Sequence, residues 1–113
     1  MKKDVTVFLQ HILESIEKIE LFLKDITKDN FLSSVQLQDA VIRRIEVIGE
    51  AAKNIPDEFR KKHPVVPWSE IIRTRDKLIH GYFGVDLELT WDIIKKDLPE
   101  LKEKIRKILE SLS

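Results

Sequence analysis

Apolar residues recur three and four positions apart along most of this chain, which is the spacing of one face of a helix. The first segment, residues 4–27, carries one unbroken stripe, and a polar turn at residues 27–30 follows it. A second stripe begins near Ser33 or Ser34 and stops before Pro56. Gly49 lies among small residues in this second helix, so we expect close packing against a neighbour. Its polar face, which includes Glu50, predicts ordinary surface ion pairs.

The second half of the chain predicts two further long helices separated by helix breakers. Pro56-Asp57-Glu58 predicts a short extra helix through Arg60, and a third long helix starts near Trp68. The last stripe follows Asp86, a predicted N-cap, and continues across Pro99, which indicates a kinked helix or two nearly collinear ones. We therefore predict a single all-α domain over residues 1–113. Its fold would be an antiparallel four-helix (up-and-down) bundle with a short extra helix and a Pro-kinked last helix.

Composition and charge limit the function classes that fit this fold. The 113 residues suffice for one compact core, and 20 basic residues balance 20 acidic ones. The zero net charge argues against a general nucleic-acid coat protein but allows a local basic groove. The absence of cysteine excludes disulfides, thiolate metal sites and a thiol nucleophile. No apolar run approaches the roughly 20 residues that cross a bilayer, and no signal-peptide pattern is seen, so we expect a cytoplasmic protein without membrane contact.

Residues 73–82 carry the chemistry that stands out from these plain stripes. On a helix beginning near Trp68, Arg75 falls within the apolar face, where a charge is costly unless it is paired or used. His80 comes one turn after Asp76, which could orient its ring. The three histidines of the chain lack metal-ligand spacing, and no glycine-rich phosphate loop is present, so we expect no metal and no cofactor.

Arginine and histidine together suit RNA cleavage without a metal ion. A base removes the 2′-hydroxyl proton, a cation stabilises the charge that develops on phosphorus, and an acid protonates the leaving oxygen. Arg75 and His80 are about 140° apart on an ideal helix. They can meet on one ligand only if the helix unwinds near Gly81, if the arginine reaches over, or if a second protomer completes the site. One chain also offers only one His80. We therefore favour a two-fold homodimer in which the second protomer completes the site.

Each of these residues also has an ordinary structural interpretation. Arg75 can pair with a buried carboxylate from a neighbouring helix. His80 can be a favourable cation at a helix C-terminus, and Tyr82 can be a core aromatic with a hydrated hydroxyl. We expect His11 to be solvated surface. From spacing alone, an enzyme is the minority interpretation.

Arg75, four further residues, then His80, Gly81 and Tyr82 match the R-x4-H-x-Y motif of the HEPN superfamily. The chain resembles its HepT branch, and the supporting segments are spread over residues 48–56, 68–86, 91 and 98–101. The resemblance implies a helical homodimer with the motif helices near the two-fold axis. It places Arg75 and His80 in the catalytic positions, while Asp76 departs from the asparagine that is frequent there.

The same resemblance implies the toxin of a type VII toxin–antitoxin system, acting as a metal-independent endoribonuclease on RNA. Its partner would be an MntA-type nucleotidyltransferase antitoxin that transfers AMP from ATP to the motif tyrosine, here Tyr82. Negative charge added beside Arg75 and His80 would occupy the anion site and repel RNA. Two alternatives stay open. One is a non-catalytic nucleotide- or substrate-binding subunit of a nucleotidyltransferase, with Arg75 as its phosphate anchor. The other is a scaffold in which the motif only builds a dimer interface.

Overall fold

The computed structural model describes residues 4–80 and 86–113, without the side chains of residues 78–80, and every regular element in them is helical. The elements in chain order are α1 (Val5–Phe22), α2 (Lys28–Ser33), α3 (Val35–Asn54), α4 (Asp57–Lys62), α5 (Trp68–His80), α6 (Leu87–Asp92), a π-helical turn (Ile93–Asp97) and α7 (Leu98–Leu112). The predicted all-α helical bundle is confirmed. No helix within these residues combines the length and the apolar character needed to cross a membrane.

Side-chain caps set the starts of three helices at the places that the sequence predicts. Asp4 accepts a hydrogen bond from the Thr6 backbone N–H at 2.9 Å. Ser34 accepts one from the Leu37 N–H at 3.2 Å, and Asp86 accepts one from the Leu89 N–H at 3.0 Å. Each cap satisfies a backbone donor that has no partner within the first turn.

The polar turn predicted at residues 27–30 is wrong, because these residues open the helix α2. The Thr27 hydroxyl accepts a hydrogen bond from the Asn30 N–H at 3.1 Å, so Thr27 is the N-cap of α2. Phe31, within α2, is fully buried, and its ring lies against Trp91 with a centroid distance of 5.4 Å. A cap and one buried aromatic side chain thus stabilise a helix of only six residues. The preceding helix α1 ends at Phe22, earlier than the apolar stripe suggests.

The π-helical turn decides how the last helical segment passes Pro99. The Leu98 N–H donates to the carbonyl oxygen of Ile93, five residues earlier, in place of the four-residue step of an α-helix. Pro99 then falls in the first turn of α7, where a missing N–H costs no helical hydrogen bond. The departure from regular α-helix therefore lies before Pro99, and the apolar stripe continues past it.

The core forms where α1 packs between α3 and α7, and α3 carries α5 on its other side. The buried side chains of α1 are Leu9, Ile12, Ser15, Ile16 and Ile19. Within the described residues, α5 has its main helix–helix contact with α3. A groove of about 310 Å³ lies between α5 and the start of α7, and Ile45, Ile71 and Leu101 are among its apolar lining.

The homodimer stays a prediction.

Candidate functional site

Arg75 lies where α5 crosses α3, and its aliphatic stem rests directly on Gly49. A Cβ added at Gly49 would overlap the Cβ of Arg75 and would lie 2.6 Å from its Cγ. Only glycine therefore leaves room for this arginine, although glycine is unfavourable within a helix. The crossing leaves the Arg75 side chain 22% exposed.

Two carboxylates from different helices hold the guanidinium group of Arg75. Its Nη2 lies 3.0 Å from Oε2 of Glu50 on α3, and its Nη1 lies 3.0 Å from Oδ1 of Asp76 on α5. The Glu50 and Asp76 side chains are 55% and 47% exposed, so each pair contributes no more than about 1 kcal/mol. The buried Nε of Arg75 has no hydrogen-bond partner among the described residues. Arg75 therefore does pair with a carboxylate of a neighbouring helix, but that carboxylate is half exposed and not buried.

Arg75 lines one side of a groove of about 400 Å³. Residues from α1, including His11, and from α3, including Glu50 and Asn54, line this groove together with Arg75. A planar fork of N–H donors at the edge of an open groove is suited to bind an oxyanion such as a phosphodiester.

His80 is the last residue of α5, and the backbone from Arg75 to His80 is α-helical. The ideal-helix separation of about 140° therefore applies to this pair, and the helix does not unwind between the two residues. The side chain of His80 and the whole of Tyr82 lie outside the described residues. Their predicted roles stay predictions, as does a contact between Asp76 and His80; the described partner of Asp76 is Arg75.

Glu50 is the site residue whose role the sequence did not reveal. The sequence predicts Glu50 on a surface face of ordinary ion pairs, and its partner is instead Arg75 on another helix. The close packing expected at Gly49 is found, and the neighbour is the stem of Arg75 on α5. His11 is exposed as expected, but it also lines the groove beside Arg75.

Among the residues that the structure describes, no group of three or more His, Cys, Asp or Glu side chains is arranged to hold a metal ion. The two carboxylates next to Arg75 are already paired with its guanidinium group. What the described part of this site offers to a ligand is therefore the guanidinium cation of Arg75.

Comparison with known proteins gives a consistent result. The model of the family described as Ribonuclease HepT-like matches residues 12–108. A Methanocaldococcus jannaschii protein is 62% identical over 99% of this chain, and its name combines gamma-glutamylcyclotransferase with a provisional RNase assignment. The chain spans half the length of that relative. A probable ribonuclease HepT of Thermococcus cleftensis is 49% identical over 96% of this chain and 98% of its own length. No solved structure matches the chain.

Proposed function

The chain belongs to the ribonuclease HepT-like family, and we propose that it is a metal-independent endoribonuclease with Arg75 and His80 as its catalytic residues. The observation that carries this proposal is the placement of Arg75, which lines a groove, rests its stem on Gly49 and pairs its guanidinium group with two carboxylates. Both carboxylates are about half exposed, so an RNA phosphate can replace them at a small cost in free energy.

The proposed reaction is an internal transesterification of the RNA strand. A general base takes the proton of the 2′-hydroxyl, and the 2′-oxygen forms a bond to the adjacent phosphorus. The bond from phosphorus to the 5′-oxygen breaks, and that oxygen leaves with a proton from a general acid. The products carry a 2′,3′-cyclic phosphate and a 5′-hydroxyl. Arg75 stabilises the added charge on the phosphoryl oxygens, and His80 transfers a proton.

A homodimer would supply what one protomer lacks for this reaction. The α-helical backbone separates Arg75 from His80 by about 140°, and base and acid are both needed. Among the described residues, the main helix contact of α5 is with α3. We propose that α5 lies near the two-fold axis and that the site forms across it.

Cleavage of a single-stranded RNA in excess EDTA tests the activity directly. We expect the purified wild-type chain to cut the RNA and to leave cyclic-phosphate ends that mass spectrometry identifies. A strand with one 2′-deoxy substitution at the cut position should resist cleavage there, because the attacking oxygen is absent. Cleavage of the deoxy position, or activity that disappears in EDTA, would contradict the proposed chemistry. Binding of ATP or AMP without any cleavage would favour the non-catalytic subunit.

We also propose that the chain is the toxin of a type VII toxin–antitoxin pair, which an MntA-type nucleotidyltransferase neutralises with ATP by AMPylation of Tyr82. Tyr82 is the only tyrosine in the sequence and lies two residues after His80. An adenylyl group there would place a negative phosphodiester and a nucleoside close to the proposed catalytic residue. That charge would compete with the RNA phosphate for the cationic side chains.

Incubation with such a nucleotidyltransferase and ATP tests the modification. The mass of the chain should rise by one adenylyl group, and RNA cleavage should be lost in proportion to the modified fraction. The Tyr82→Phe variant, which keeps the ring but lacks the accepting oxygen, should gain no mass. An unchanged mass gain in that variant would place the modification on another residue.

A further inference from the structure

The groove beside Arg75 continues along the surface between α1 and α3 to a second arginine, Arg43. Arg43 and Asn54, the two ends of its α3 wall, are about 16 Å apart at 1.5 Å per residue. Phe8 and His11 of α1 form the opposite wall. This surface is longer than a single phosphate requires, and the chemistry of the proposed cleavage site does not use it.

The lining of the groove changes from apolar at the floor to polar at the edges. Phe8, Val47 and Ala51 contribute apolar surface, and Ala51 is buried and small. His11 and Asn54 are exposed and carry polar groups, a ring and an amide. The Asn54 Nδ2 donates to the Glu50 carbonyl oxygen at 2.9 Å, which leaves its Oδ1 as the free acceptor of the amide among the described contacts. An apolar floor with an aromatic wall suits the face of an unstacked base, and the polar edges suit its hydrogen-bonding atoms.

Arg43 supplies a second guanidinium group to the groove, in addition to that of Arg75. Its side chain is 66% exposed, and its Nη1 lies 3.5 Å from Oε2 of Glu46, at the outer limit of a hydrogen bond. Such an exposed pair contributes less than about 1 kcal/mol, so a backbone phosphate can take the place of Glu46. The groove thus presents a base-binding surface together with two exchangeable phosphate sites.

We propose that this groove binds the single-stranded RNA segment next to the scissile phosphate. In this arrangement, a base packs against His11 and Phe8, and a neighbouring phosphate binds Arg43 while the scissile phosphate binds Arg75. The proposal rests on the proposed ribonuclease function and adds a strand-binding path to it. It makes His11 and Arg43 substrate-binding residues and predicts that RNA binds as a single strand.

Binding of a cleavage-resistant RNA tests the path without depending on catalysis. The probe is a fluorescent 2′-O-methyl single strand, and the measurement is its Kd by anisotropy at a fixed low salt concentration. Arg43→Ala should raise Kd by about threefold to fivefold. His11→Ala should raise it by about fivefold to 100-fold, and His11→Phe should retain most of the affinity because the ring is kept. Lys18→Ala, at an exposed position of α1 not among the groove-lining residues, is the matched control.

Cleavage kinetics of the same variants separate strand binding from chemistry. Loss of a groove contact should raise KM for a cleavable strand and leave kcat close to the wild-type value. Equal Kd values for the groove variants and Lys18→Ala, with a wild-type chain that still binds and cleaves RNA, would overturn the path alone. A wild-type chain that binds no RNA would overturn both this proposal and the ribonuclease function. A defect of His11→Ala confined to kcat would instead place His11 at the reacting atoms.

Discussion

Replacing Arg75 with alanine is expected to lower the rate of RNA cleavage by about 100-fold to 1,000-fold, because it removes a fixed cation from the developing charge on phosphorus. The measurement is the single-turnover rate on a single-stranded RNA in EDTA. Arg73→Ala is the matched control, since Arg73 is an exposed arginine two residues earlier on the same helix. Arg75→Lys should remain impaired, because lysine cannot reproduce the planar fork of donors.

The fold of Arg75→Ala should survive, because the two ion pairs that it loses are half exposed. Thermal unfolding followed by circular dichroism therefore accompanies the rate measurement. A folded Arg75→Ala protein with the rate of the Arg73→Ala control would refute the assigned role. It would leave the scaffold interpretation of the motif as the better one.

Pairing the Arg75→Ala and His80→Ala chains tests whether the site is shared between protomers. If each site takes Arg75 from one protomer and His80 from the other, a mixed dimer has one intact site and one that lacks both groups. Heterodimers purified through two different tags should then recover about half of the wild-type rate, although each parent is inactive. Inactive heterodimers would mean either that both groups act within one chain or that each site needs His80 from both protomers.

Gly49→Ala is expected to impair both stability and activity, in spite of the better helix propensity of alanine. The new methyl group would overlap the Arg75 stem, and such overpacking typically costs about 1–3 kcal/mol, against a gain of about 1 kcal/mol in propensity. The helices must separate or Arg75 must move, and a displacement of about 1 Å at a catalytic group can lower the rate about 100-fold. Urea unfolding and single-turnover cleavage measure the two effects.

The Arg75→Gly background provides an internal control for this clash. There the overlapping Cβ and Cγ atoms are absent, so Gly49→Ala should raise the free energy of unfolding by its propensity term alone. The effect of Gly49→Ala on the free energy of unfolding would therefore change sign between the two backgrounds. Destabilisation of similar size in both would show that Gly49 is needed for a reason other than Arg75.

Local information in the sequence was enough to predict the main helices and most of their starts. The apolar stripes follow directly from burial on one side, and Asp4, Ser34 and Asp86 cap backbone groups within three residues of themselves. The helix α2 was missed because a polar run suits a turn and a helix start equally well. Contact between Phe31 and the distant Trp91 favours the helix, and local pattern does not reveal such a contact.

One part of the site was predictable, because Arg75 places a charge on the apolar face of its helix. Arg75 stood out because it interrupts an apolar face, and the structure gives it two partners and a groove. The roles of Gly49 and Glu50 depend on where α3 and α5 cross, and the crossing point depends on packing over both helices. Glu50 fits a surface face of α3 equally well, so the pattern of that helix alone could not assign its partner.

The two carboxylates that hold Arg75 also determine which anions can compete for it. A free phosphate ion gains a single cation and must displace Glu50 or Asp76 to reach it. A polymer that contacts several places at once shares that cost over many contacts, because the later contacts are intramolecular. The ion pairs of Arg75 with Glu50 and Asp76 therefore discriminate against abundant small anions. The site should remain available to long strands in a solution with a high phosphate concentration.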